Sequence, residues 1–176
     1  GGDVLLHVAG HAAAMTVALS HGTGPVLVAV DFSEDSRRAL GWAARQAQLE
    51  GVALISLHVV HDHAASPGYY RKPEENWLRP MIDAAQAMMR DFLSEVKAVN
   101  PDVPELEAGE VRLGPGLPAG RIIEVAEDTK SALIVVGRRG RTALEEVLLG
   151  SVAERVAQLS SVPVVIVKSP VPGPRE

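Results

Sequence analysis

Apolar positions in this chain fall into short continuous runs, separated by stretches in which they recur every three or four residues. "PVLVAV" (Pro25 to Val30), "VALISLHVV" (Val52 to Val60), "ALIVVG" (Ala132 to Gly137) and "VPVVIV" (Val162 to Val167) are β-branched-rich runs of strand length. Lacking polar alternation, they read as strands covered on both faces, the pattern of a parallel sheet. Leu40, Ala43, Ala47 and Leu49 then give a helical apolar face. Ser33 suits the N-cap of that helix, Glu34 and Asp35 suit a first turn where the helix dipole favours carboxylates, and Gly51 stops it. A second helix carries Ile82, Ala85, Met89, Phe92, Leu93 and Val96, with Pro80 in its first turn and Asn100-Pro101 at its end. A further strand is predicted within Leu106 to Leu113, a short helix around Ile122, Ile123, Val125 and Ala126, and a last helix from Ser151 with Val152, Val156 and Leu159 inward. "HDHAASPGYYRKPEEN" and "GPGLPAG" read as loops.

This alternation predicts an α/β fold: a Rossmann-like three-layer α/β/α sandwich with a five-stranded parallel sheet, because right-handed crossovers place helices on both faces. One domain is expected, over 24–168. Residues 1–23 form an N-terminal extension whose apolar stretch, broken by His7 and His11, is too short and polar for a membrane span and lacks the basic leader of a secretory signal. Met15 offers a natural start, and the expected fold leaves out what precedes it. "SPVPGPRE", with three prolines in eight residues, predicts a disordered tail over 169–176.

Composition narrows the function classes. A chain of 176 residues with 47% apolar and 22% charged residues can bury one core and fits a soluble globular protein. A net charge of −5 and 3% aromatics argue against nucleic acid and anionic lipid as partners. The absence of cysteine excludes disulfides, thiolate catalysis and Cys-based metal sites, and is compatible with the cytoplasm, the compartment expected.

In a sheet of this kind ligands sit at the carboxyl ends of the strands, where the strand order reverses. Three loops there are informative: one holds Asp31, one the histidines of "HVVHDH", and one the stretch "GRRGRTALEEVLLGSV", Gly137 to Val152. Gly137 and Gly140 flank a turn after a buried strand, where missing side chains let backbone amides approach a ligand. Gly150 and Ser151 open a helix whose unpaired amides and partial positive charge suit a phosphate, and Arg138, Arg139 and Arg141 add cations. The alternative is a turn, a helix cap and an ordinary N-cap serine; spacing alone leaves the two readings level. A Walker A loop is excluded, since no Gly-Lys-Ser or Gly-Lys-Thr closes the stretch. His58, His61 and His63 invite a metal, but their spacing favours solvated loop histidines, and no metal site is expected. Arg37 and Arg38 read as a solvated helix face, and Met81, Met88 and Met89 as core or subunit contact.

Gly137, Gly140, Gly150 and Ser151 match every fixed position of the signature Gly-x2-Gly-x9-Gly-Ser, and by them Pro25 to Lys168 resembles the universal stress protein family. "VAVDFSEDSRRALGWA", "LHVV" and "VPVVIVK" strengthen the likeness, while Ser131-Ala132 departs from the aspartate often found before the "LIVVG"-type strand. The resemblance implies the ATP-binding branch, with ATP or another adenine nucleotide bound together with Mg. It implies that Asp31 faces the ribose or a phosphate-bound metal, that Val59 lines the adenine pocket with Ala29 and Val136 beside it, that Gly137, Arg139 and Gly140 wrap ribose and phosphates, and that Gly150, Ser151 and Val152 hold the phosphate tail. No catalytic residue is assigned. No Ser-His-Asp order, placed carboxylate pair or activated nucleophile stands out, so a sensor or regulator with at most slow ATP hydrolysis is expected. The alternatives are a genuine nucleotide hydrolase or phosphotransferase, and a nucleotide-free interaction module. A homodimer through Val162 to Val167 is expected by resemblance, and also because an apolar strand at a sheet edge leaves backbone groups that a second copy can pair.

Overall fold

In the computed structural model, residues 6–8, 23–60, 78–140 and 149–168 are described. Strands β1 (Leu6–Val8), β2 (Val26–Ala29), β3 (Leu54–Val60), β4 (Glu110–Pro115), β5 (Leu133–Gly137) and β6 (Val164–Val167) form one sheet in the order β1-β6-β5-β2-β3-β4. All pairings are parallel. The five expected strands are thus joined by a sixth from the N-terminal segment, outside the expected domain of 24–168. Helices α1 (Glu34–Glu50), α2 (Leu78–Ala98), α3 (Glu105–Ala108), α4 (Pro118–Asp128) and α5 (Ser151–Leu159) complete the alternation.

Successive side chains of a strand point to opposite faces, so each run supplies two cores. Val26, Val28, Val30, Leu54, Leu133, Val135 and Val165 pack with Leu40 and the alanines of α1 and with Met89, Phe92 and Val96 of α2. Leu27, Ile55, Leu57, Ile134 and Val136 pack on the other face with Ile122, Val125 and Ala126 of α4 and Ala153 and Val156 of α5. Helices α1, α2 and α3 therefore form one outer layer and α4 and α5 the other. Helix α1 begins at Ser33, whose Oγ accepts the Ser36 amide at 3.1 Å, and stops at Gly51, whose left-handed φ of 65° suits glycine. Arg37 is more than a solvated residue, since it bridges Glu34 and Glu95 and covers the Phe92 ring at 4.8 Å.

Several sequence expectations are corrected. The third expected strand starts at Glu110 and not near Leu106, because Pro104 opens a short helix that buries Leu106 in the core. Leu49 is 65% exposed, being two residues past Ala47 and so on the far side of α1. In α5 the inward positions are Ala153 and Val156, while Val152 and Leu159 face outward. Of the three methionines, only Met89 is fully buried. Ser131, at the departure from the family's aspartate, is buried, with its Oγ 2.7 Å from Thr129 Oγ1. Strand β6 is not outermost: β5 flanks one side and β1 the other, with Leu6 in register with Val165 and Val8 with Val167. The tail 169–176 lies outside the described residues.

Candidate functional site

From β2 the chain winds outward through β3 and β4 on one side and through β5 and β6 on the other. The order reverses between β2 and β5, and a crevice opens beyond their carboxyl ends at such a point. Asp31 leaves β2 there, and Gly137 ends β5 beside it.

The loop after β2 is held by its own polar groups. Asp31 Oδ1 accepts the Ser33 amide at 3.0 Å and the Ser33 hydroxyl at 2.6 Å, the short aspartate turn that these residue types favour. Between them Phe32 takes the left-handed region, with φ at 66°, an uncommon conformation for a bulky residue. Its ring is packed 4.4 Å from the His58 ring and 5.6 Å from the Phe92 ring. His58 Nδ1 lies 2.7 Å from Val30 O; since a carbonyl only accepts, Nδ1 carries the proton. His58 is thus fixed within β3. His61 and His63 lie outside the described residues, and no group of three potential metal-ligating side chains occurs among the described ones.

The turn after β5 fits against this loop because its two outer residues, Gly137 and Gly140, lack side chains. A Cβ on Gly137 would stand 2.8 Å from the Asp35 carbonyl carbon and 2.9 Å from the Ser36 amide nitrogen. A Cβ on Gly140 would stand 2.9 Å from Asp31 Oδ2. Asp35 Oδ2 accepts the Arg139 amide at 3.0 Å and lies 3.9 Å from Arg139 Nε. Arg139 O lies 3.3 Å from Ser33 Oγ.

The second glycine pair meets the first. Gly150 donates its amide to Arg138 O at 2.8 Å, and a Cβ on Gly150 would lie 3.5 Å from both Arg139 Cα and the Gly140 amide nitrogen. Helix α5 starts at this point with no side-chain cap, and its first intrahelical bond runs from Glu154 N to Gly150 O. The amides of Ser151, Val152 and Ala153 accordingly have no partner within the helix, and Ser151 and Val152 are exposed beside the glycine turn. The intervening residues 141–148 lie outside the described residues.

Ala29, Val59 and Val136 share the sheet face covered by α4 and α5. Val136 is 3% exposed, whereas Ala29 and Val59 are half-buried at the strand ends. Beyond the ends of β2 and β5, Asp31, the Gly137–Gly140 turn and the start of α5 are thus brought together, while Ala29, Val59 and Val136 share one face of the sheet. Phe32, Ser33 and Asp35 were not among the expected site residues. Ser33 and Asp35 had been assigned to helix capping alone, and their tie to a turn 104 residues away leaves no local trace.

The Universal stress protein family model matches residues 22–168. The Bacillus subtilis universal stress protein YxiE is 32% identical over 152 residues, covering 81% of this chain and 97% of its own. The universal stress protein UspA from Lactobacillus plantarum shares the fold, with a TM-score of 0.66 at 23% identity over 82% of this chain and 97% of that one. A universal stress protein in complex with cAMP is similar at a TM-score of 0.54 and 26% identity, covering 82% of this chain and 95% of that one. The Archaeoglobus fulgidus universal stress protein in complex with dAMP gives 0.50 and 25%, over 82% and 98%. With the parallel sheet, its reversal point and the glycine signature all in place, the chain belongs to the universal stress protein family.

Proposed function

We propose that the protein binds an adenine nucleotide, ATP first among the candidates, at the crevice between β2 and β5, and that it acts as a homodimeric sensor or regulator in the cytoplasm. One observation carries the reading: the two glycine pairs converge, so a turn bounded by bare glycines lies against a helix start whose amides are unpaired within the helix. Backbone N–H groups at a helix N-terminus suit phosphate oxygens, and bare glycines let a ribose come within contact of the main chain. Ala29, Val59 and Val136 would wall the base. Gly137, Arg139 and Gly140 would hold the ribose and first phosphate, and Gly150, Ser151 and Val152 the phosphate tail. The cAMP- and dAMP-bound relatives support the adenine class.

Mg²⁺ would accompany a polyphosphate, and the Asp31 carboxylate at the crevice edge is a hard oxygen ligand of the kind that such an ion takes. The ion would supply charge neutralisation, and Asp31 would orient either it or the ribose. Hydrolysis is expected to be slow at most. Single-turnover hydrolysis of labelled ATP tests this: retention of intact ATP fits a sensor, and turnover at ordinary metabolic rates would replace it with an enzyme.

A further inference from the structure

Asp35 is the only charged residue among the buried polar side chains of the described residues, at 6% exposure. Its position in the first turn of α1 explains some tolerance for a carboxylate, but burial of a charge remains costly without a partner. The structure places Arg139 against it, by the backbone amide at 3.0 Å and by the guanidinium at 3.9 Å. Arg139 is itself largely covered, its side chain 23% exposed. The contact is tight on the glycine side too, since a Cβ on Gly137 would come within 3.0 Å of Asp35 Cβ.

We infer that Asp35 is a positioning and specificity-determining residue of the nucleotide site: it anchors the Gly137–Gly140 turn through Arg139 and offsets the arginine's charge, limiting the preference for triphosphate over monophosphate. The inference rests on the adenine-nucleotide reading. Two effects of one carboxylate can be separated. The amide bond needs only an acceptor oxygen, which asparagine keeps; the offset needs the negative charge, which asparagine removes. A guanidinium released from its carboxylate is free to turn to phosphate oxygens, and each added phosphate gains from that contact as well as from the loss of the carboxylate's own repulsion. The pocket as built therefore responds to nucleotides of different phosphate number more evenly than its arginine alone would allow.

The test is titration of AMP and ATP into the full chain in EDTA, comparing Asp35→Asn and Arg139→Gln, singly and together, with the unsubstituted protein. Asp35→Asn should raise the ratio of the AMP to the ATP dissociation constant about five-fold, an effect that shrinks as salt is added. On the Arg139→Gln background the same change removes only the carboxylate's direct repulsion and should raise the ratio by no more than about two-fold, the difference being the coupling through the arginine. Thermal unfolding of each variant separates folding loss from altered preference. Equal weakening of AMP and ATP by Asp35→Asn would make Asp35 a structural tie alone and overturn the inference. If the unsubstituted protein binds neither nucleotide, the site reading itself fails and the inference falls with it.

Discussion

In the proposed site Gly140 and Ser151 serve the phosphates. Replacement of Gly140 by valine puts a branched side chain where a single Cβ already stands 2.9 Å from Asp31 Oδ2, so the turn or the carboxylate must shift. ATP binding, followed by calorimetric titration, should be lost or weakened more than ten-fold. Ser151→Ala removes one hydroxyl donor, costing about 1 kcal/mol, or roughly five-fold in affinity. Unchanged affinity in both variants would refute the placement. Phe32 offers a separate test of backbone strain. Phe32→Ala and Phe32→Gly both lose the ring contacts with His58 and Phe92, but only glycine relieves the left-handed conformation. Phe32→Gly should therefore be the more stable of the two by about 1 kcal/mol in chemical denaturation. The glycines of the site were legible in the sequence because their spacing is fixed. The strain at Phe32 was not, since nothing in the one-dimensional pattern marks a phenylalanine as left-handed.

At the scale of elements, strands and helices follow from runs and periods. β2, β3, β5 and β6 were visible because strands buried on both faces must be apolar throughout. The expected position of β4 differs because it is an edge strand with exposed Glu110 and Val111 and half-buried Arg112, and an adjacent buried leucine, Leu106, belongs to a different element. The inward face of α5 was misjudged for a related reason: alanine at 153 packs tightly on the sheet, whereas the larger Val152 and Leu159 face outward. Ser33 joins an element to the site. Its Oγ caps α1 and donates to Asp31, so Ser33→Ala should cost about 1 kcal/mol as a lost cap. It should also weaken nucleotide binding modestly by removing the hydroxyl bond that helps hold the Asp31 carboxylate, a loss that titration of ATP would read. In the core, Ile134→Ala in β5 removes a fully buried side chain and should cost about 2–5 kcal/mol in equilibrium unfolding.

For the whole molecule, the doubly wound order was deducible from strand–helix alternation, and the proposed site lies at the reversal point between β2 and β5, where such folds bind ligands. What alternation could not supply was β1, drawn from a segment with no strand-length apolar run of its own kind. Its pairing changes the expectation for assembly. A second copy that pairs through β6 across a two-fold axis must take the place held by Leu6–Val8. Removal of residues 1–14 should therefore increase the dimer fraction at a given concentration, as read by light scattering. Equal dimerisation with and without those residues would place the interface elsewhere.

Recognition of an adenine nucleotide at the β2–β5 crevice is the claim on which the rest depends, and calorimetric titration of the full chain with ATP tests it most directly. A saturable isotherm with one nucleotide per chain, competed by AMP and abolished by Gly140→Val, is the predicted result. No binding up to millimolar ATP, or an isotherm that Gly140→Val leaves unchanged, would contradict it.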